Sequence, residues 1–289
     1  MRTMWFTLPD TWGGAVAEIE LSCGVLEYSD RGSGPVVVLL HGLLMDSSLW
    51  DATVELLGGE YRCVVPTLPL GAHRIPVTGD LSLPAIAGLV RELLVRLDLR
   101  DVTLVGNDTG GALAQLLAQD ERVARIVLAS CDAFDNFPPG LTGKTLVSLG
   151  KLSPGLFGAF MQQMRVRLVR RLPISFGWLT KRGDAVVREW IRPVLGRPEI
   201  RRDAVRMLRS LGGFRVELEQ ASAAMARFDG PAVVVWAAED RVMPVEHGRR
   251  LAELLPRGKL VEVADSYTLI PLDRPAEMAS AIRLVCDSR

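Results

Sequence analysis

Histidine is the scarcest reactive side chain here: 289 residues carry only His41, His73 and His247. Any imidazole chemistry must come from those three positions. Cysteine is also sparse. Cys23, Cys63, Cys131 and Cys286 are scattered and form no C-x-x-C pair, which argues against a zinc site or a disulfide framework and for reduced, buried thiols. Net charge is absent, since 34 Lys and Arg balance 34 Asp and Glu. No basic domain therefore points to nucleic acid. No apolar run is long enough to span a bilayer, the longest nearly apolar stretch being Pro35–Met45. Met1-Arg2-Thr3-Met4-Trp5 is not followed by the apolar core of a secretion signal. The expected location is cytoplasmic. Internal repeats and low-complexity segments are missing, and no motif calls for a metal or a cofactor. Oligomeric state is left open.

What is present is core material: 48% of residues are hydrophobic, enough for one large domain. Ala17–Leu21 and Gly24–Ser29 suit antiparallel strands at a sheet edge. Val36–Leu40 is continuously apolar, as in strands covered on both faces by helices. The chain then alternates. Strands are predicted at Arg62–Pro66, Val102–Val105, Arg125–Ser130, Ala232–Trp236 and Leu260–Val263. Helices are predicted from Ser82 (a cap followed by Pro84), over Gly111–Gln119, over Val245–Leu255 and over Pro275–Val285. This alternation predicts an α/β fold with a doubly wound, mostly parallel sheet. Residues 133–229 break it, offering only helical stretches and proline-rich turns. They read as a helical cap inserted into a core of residues 1–132 and 230–289. The insert carries seventeen Lys and Arg against eight Asp and Glu, a net of +9. That leaves −9 on the core. Such a cap suits an anionic substrate or an acidic partner, or is simply a set of solvated helix faces.

The segment Val105-Gly106-Asn107-Asp108-Thr109-Gly110-Gly111 follows a strand and opens a helix. It is the aspartate version of the G-x-S-x-G elbow, in which a sharp turn presents a nucleophile. Side chains at Gly106 or Gly110 would clash there. The N–H of Thr109 points from a helix N-terminus, where partial positive charge gathers. Upstream, Leu39-Leu40-His41-Gly42-Leu43-Leu44 ends a strand in His-Gly.

Together these residues resemble the α/β-hydrolase superfamily over nearly the whole chain. The aspartate at the elbow is similar to that of epoxide hydrolases and haloalkane dehalogenases, in which a carboxylate attacks carbon and a histidine-activated water cleaves the resulting ester. The resemblance makes Asp108 the central carboxylate and the N–H groups of Leu43 and Thr109 the oxyanion donors. It also places Asn107 and His41 at the oxyanion and substrate-binding site, His41 mostly as a structural residue of the loop. Val235-Trp236-Ala237-Ala238-Glu239-Asp240 places Asp240 as the triad acid. Two departures stand out. Where the family has its catalytic histidine, this chain reads Ala264-Asp265-Ser266-Tyr267-Thr268, so that Thr268 stands at the histidine position. The tryptophan that commonly follows the nucleophile is Thr109 here, which argues against ordinary dehalogenation. Pro66–Arg74, Gly106–Gly111 and Cys131–Pro139 also resemble a bacterial α/β-hydrolase-like group with no firm reaction.

Several candidates could make good the missing imidazole. His73, on the loop after Arg62–Pro66, could reach Asp108 as an acid–base partner, or bond only to backbone or solvent. Asp108 could instead act as a general base with Tyr267 as proton donor, in a lyase, isomerase or cyclase. The protein could also bind a ligand without turning it over, or Asp108 could be structural, bonded to Tyr267 or Thr268. His247 reads as a surface position; Asp132 and Asp135 stand where some α/β hydrolases keep an alternative acid. Ester, lactone or epoxide hydrolysis of a small apolar or aromatic substrate comes first, and the aromatics in and near the insert suit such a pocket.

Overall fold

The computed structural model describes residues 16–288; the Met1–Trp5 stretch considered above lies outside them. Eight strands form one sheet in the order β1-β2-β4-β3-β5-β6-β7-β8. They are β1 Val16–Leu21, β2 Gly24–Arg31, β3 Val36–Leu40, β4 Arg62–Pro66, β5 Val102–Asp108, β6 Val123–Cys131, β7 Ala232–Ala237 and β8 Gly258–Val263. The β1–β2 and β2–β4 pairs are antiparallel, and all others are parallel. This is the mostly parallel α/β sheet that the alternation predicts, in the arrangement that the resemblance to α/β hydrolases implies. β5 and β7 are buried along their whole length, as fits the unbroken apolar run of β7 and a β5 covered on both faces.

The helices of the sheet layer are α1 Asp51–Leu57, α2 Leu83–Arg96, α3 Thr109–Leu117, α11 Val245–Leu254, α12 Ile270–Asp273 and α13 Pro275–Cys286. α2 begins as its sequence demands: the Ser82 hydroxyl accepts from the Ala85 N–H, with proline in the first turn. α1 goes unpredicted because seven residues are too few to show a helical period. Between β6 and β7 the chain runs through α4 Gly140–Leu149, α5 Pro154–Gln163, α6 Arg167–Arg170, α7 Asp184–Trp190, α8 Arg192–Gly196, α9 Pro198–Ser210 and α10 Arg215–Ala224.

These inserted helices are tied to the sheet layer by polar bonds. The Trp190 indole, fully buried, donates to Asp46 Oδ1 (3.0 Å) and Ser48 Oγ (2.9 Å) on the loop after β3. Asp273 accepts from the Thr180 hydroxyl and from the N–H groups of Lys181 and Arg182. Lys181 and Arg182 pair with Asp265. Part of the insert's positive charge thus meets the core's negative charge at this seam. All four cysteines are free thiols, three of them buried.

A buried carboxylate at the end of the fifth strand

β5 continues three residues beyond its apolar run, through Gly106 and Asn107 to Asp108, because it stays paired with β6. Asp108 then caps α3 with φ 55° and ψ −130°, outside the left-handed helical well. A non-glycine residue in such a conformation costs on the order of 1–3 kcal/mol. The surrounding glycines make the turn possible. A Cβ on Gly106 would overlap the Gly110 carbonyl, and one on Gly110 would overlap the Leu40 carbonyl. Gly42 matters differently, since its Cβ would strike the Asp108 carboxylate, 2.7 Å from Cγ.

The turn gives Asp108 an asymmetric hold. Its Oδ1 accepts from the Thr109 N–H at 2.7 Å and the Leu43 N–H at 3.4 Å. The two N–H groups singled out from the sequence therefore converge, and they converge on Asp108's own oxygen. Burial pushes the Asp108 carboxyl up to about 6. The N–H groups of Thr109 and Leu43 pull it down, and the charge of Asp240 adds to the rise. Above Asp108 lies an apolar pocket lined by Leu43, Met45, Phe137, Leu146, Phe176 and Leu179 among others. Its cavity is only about 20 Å³. On this measure a single water needs roughly 10–15 Å³, so any larger occupant requires the inserted helices to give way.

Two further carboxylates are buried near Asp108. Asp132, just after β6, accepts from the Thr109 hydroxyl at 2.9 Å, while its other oxygen has no partner. Burial, then the charge of Asp108, pushes it well above the usual carboxylate range. Asp240 Oδ1 accepts from the N–H groups of Val242 and Met243 and from the Thr268 hydroxyl at 2.8 Å. Its Oδ2 is buried without a hydrogen bond, and burial raises its pKa. Thr268 thus sits directly on Asp240, and its carbonyl accepts from the Asn107 amide at 2.8 Å. That amide also bonds the Ala129 carbonyl, stitching β5, β6 and the loop after β8 together.

The imidazoles lie elsewhere. His73 accepts from the Gly71 N–H through Nδ1, and its Nε2 faces Asp203 of α9 at 3.5 Å. Asp203 in turn holds the Val77 N–H and Arg206. The hydrogen bonds of His73 and Asp108 share no partner. His41 is fully buried with both nitrogens engaged, Nδ1 on the Gly42 carbonyl and Nε2 accepting from the Leu68 N–H. Burial lowers its pKa to about 4, so the ring is neutral. His247 packs edge-on against Phe134, 3.8 Å from Asp135. Tyr267 lies under the Arg241 guanidinium, which bonds its hydroxyl, with Lys181 over the ring. Asp132, named from the sequence with Asp135 as an alternative acid, is the one of the two that is buried, next to Thr109.

A carboxylate at a strained strand-to-helix turn, on a sheet of this order, defines a class, and the family model agrees: residues 37–281 match the alpha/beta hydrolase family, and the chain belongs to it. An uncharacterized hydrolase of Bacillus subtilis, YugF, is 25% identical over 274 residues, covering 87% of this chain and 91% of the relative. Haloalkane dehalogenase 2 of Mycobacterium tuberculosis is 26% identical over 267 residues, covering 90% and 91%. Among solved structures, a thermophilic esterase from Thermogutta terrifontis superposes with a TM-score of 0.67 at 23% identity, covering 93% of this chain and 97% of that one.

Proposed function

We propose that this protein is a hydrolase in which Asp108 attacks an electrophilic carbon of a small apolar or aromatic substrate of the epoxide, ester or lactone kind. The observation that carries the reading is the hold on Asp108, with two backbone N–H groups on Oδ1 beneath an apolar pocket. With Oδ1 pinned, Oδ2 is the atom left to form a bond. On an epoxide, Oδ2 bonds to a ring carbon and the ring C–O bond breaks. The ring oxygen leaves with the electron pair and takes a proton from water. An ester on Asp108 results. Water then adds to Asp108 Cγ, negative charge develops on Oδ1, and the Leu43 and Thr109 N–H groups stabilise it. Expulsion of the alcohol, which takes one proton of the attacking water, restores the carboxylate, and the other proton neutralises the hydroxide left by ring opening.

Three features bear on the rate and the substrate. Thr268 stands on Asp240 where the resemblance places the water-activating histidine, so ester cleavage is the slow step and the covalent species persists. Phe137 and Phe176 supply aromatic walls. The inserted helices act as a cap that closes over the bound molecule. Relatives described as a hydrolase, a dehalogenase and an esterase support cleavage by water over a lyase or a silent binding protein, while Thr109 in the position after the carboxylate argues against ordinary dehalogenation. In this reading His73 and Tyr267 stay outside the chemistry. His41 braces the loop that carries Leu43, and Asp240 and Asn107 anchor the loop that carries Thr268. Asp108→Asn keeps an acceptor for both N–H groups and removes the attacking oxygen. It is expected to abolish turnover across a panel of epoxides, esters and lactones; full activity in the variant contradicts the role given to Asp108.

A further inference from the structure

The inserted helices have an outer surface as unusual as their inner one. Ten large hydrophobic side chains are exposed among the described residues, and five of them, Leu141, Leu156, Val166, Leu168 and Leu172, fall within residues 141–172. Leu168 is 81% exposed, the highest of the ten. Over the longer stretch 136–183 the sequence holds eight Lys and Arg and no Asp or Glu. Some of those cations are consumed internally. The Arg170 guanidinium, itself buried, pairs with Asp184 and donates to the Met164 and Arg165 carbonyls, and Lys181 and Arg182 pair with core acids. Lys144, Lys151 and Arg165 make no ion pair among the described residues. The Thr142 hydroxyl donates to the Pro173 carbonyl at 2.7 Å, which joins the start of α4, carrying Leu141, to the segment carrying Leu172. Arg170 pins the α6 turn that carries Val166 and Leu168 against the end of α5. The backbone that carries Leu141, Val166, Leu168 and Leu172 is therefore braced.

From this surface we infer that α4–α6 dock the protein peripherally on an anionic lipid bilayer, with Val166, Leu168 and their neighbours entering the interface and Lys144, Lys151 and Arg165 meeting the headgroups. Exposed aliphatic tips set among cations, with no compensating acid, match the two terms that hold a protein to such a surface: burial of apolar area and attraction to negative lipid. A protein partner fits less well. The patch has no exposed aromatic and keeps its lysines, whereas protein interfaces are rich in aromatics and poor in lysine. The same segment supplies Thr142, Leu146 and Phe176 to the wall of the pocket over Asp108. A docked bilayer therefore lies against the wall that must move to admit an apolar molecule. The inference does not depend on the chemistry assigned to Asp108.

Flotation of the full chain with phosphatidylcholine vesicles, with and without phosphatidylserine, tests it. Binding is expected only with phosphatidylserine and is expected to weaken at high salt. Leu168→Asp, at a position too exposed to disturb folding, is expected to weaken it about tenfold or more, as is the pair Lys144→Glu and Arg165→Glu. Asp108→Asn is expected to bind vesicles like the wild type, which separates this result from the reading of the active site. Absence of binding to phosphatidylserine vesicles overturns the inference. So does binding that Leu168→Asp leaves unchanged, or capture by polyglutamate without capture by vesicles. Self-association that Leu168→Asp abolishes, with no vesicle binding, would assign the face to a second copy of the chain.

Discussion

At the scale of the residue, Asp108 is a charge held in a place that disfavours charge. Its carboxyl lies near 6 in the folded protein, above the value of 3.8 for the free group. The folded state therefore holds the proton more tightly than the unfolded state does. The stability linked to that proton is fully present below about pH 4 and is lost as pH rises through 6. At roughly 1.4 kcal/mol for each unit, the cost of the ionised form is on the order of 2–3 kcal/mol. Asp108→Asn removes that cost and leaves the shape almost unchanged. It is expected to be more stable than the wild type at pH 8, with the advantage shrinking towards pH 4. Denaturant unfolding at both pH values measures this, and a difference independent of pH contradicts the burial argument. The same titration makes formation of the Asp108 ester slow below about pH 6, because only the carboxylate attacks.

At the scale of the element, the proposed function turns on the loop after β8, where Thr268 stands at the position the resemblance gives to histidine. Thr268 donates to Asp240 Oδ1, and Asp240 Oδ2 is left buried and unpaired. A histidine at 268 would bring its ring N–H to the same carboxylate. Thr268→His is expected to speed loss of an Asp108 ester by about tenfold or more, since a triad histidine is worth on the order of 10⁴ in related chemistry. Single-turnover decay of the adduct measures it; a decay rate equal to the wild type's contradicts the assignment of position 268. The bond to Asp240 could not be read in the sequence, because it joins residues 28 apart that only the sheet brings together. The same limit applies to His73. Its loop position was legible, but Asp203, 130 residues further on, takes the ring. The strand–turn–helix around Asp108 was legible because glycine spacing there answers to close contacts. The apolar pattern nevertheless predicts β5 only as far as Val105. Gly106 and Asn107 are poor strand formers, and pairing with β6 overrides that preference.

At the scale of the whole molecule, charge is unevenly divided along the sequence: residues 133–229 carry a net +9 and the remainder a net −9. The two are joined along a seam that includes Lys181, Arg182, Asp265 and Asp273. The Trp190 indole is a second fastening, on Asp46 and Ser48. Between them lies a cavity of about 20 Å³, too small for the molecules proposed as substrates. On the proposed function, occupation of the pocket displaces α4, which supplies Thr142, Gly143 and Leu146 to its wall. Hydrogen exchange is expected to change on covalent occupation of Asp108 in residues 139–150, which wall the pocket, and to stay constant in β5 and β6. Unchanged exchange over 139–150 in the occupied protein contradicts the closed-pocket account.

The central claim is that Asp108 forms a covalent ester and, with Thr268 where the resemblance places a histidine, releases it slowly enough for the ester to accumulate. Intact mass spectrometry of the protein after incubation with small apolar epoxides tests it most directly. The account predicts one added substrate mass in the wild type, mapped to the peptide containing Asp108 and absent from Asp108→Asn. Consumption of an epoxide with no added mass at any time point, or an adduct that persists in Asp108→Asn, contradicts it.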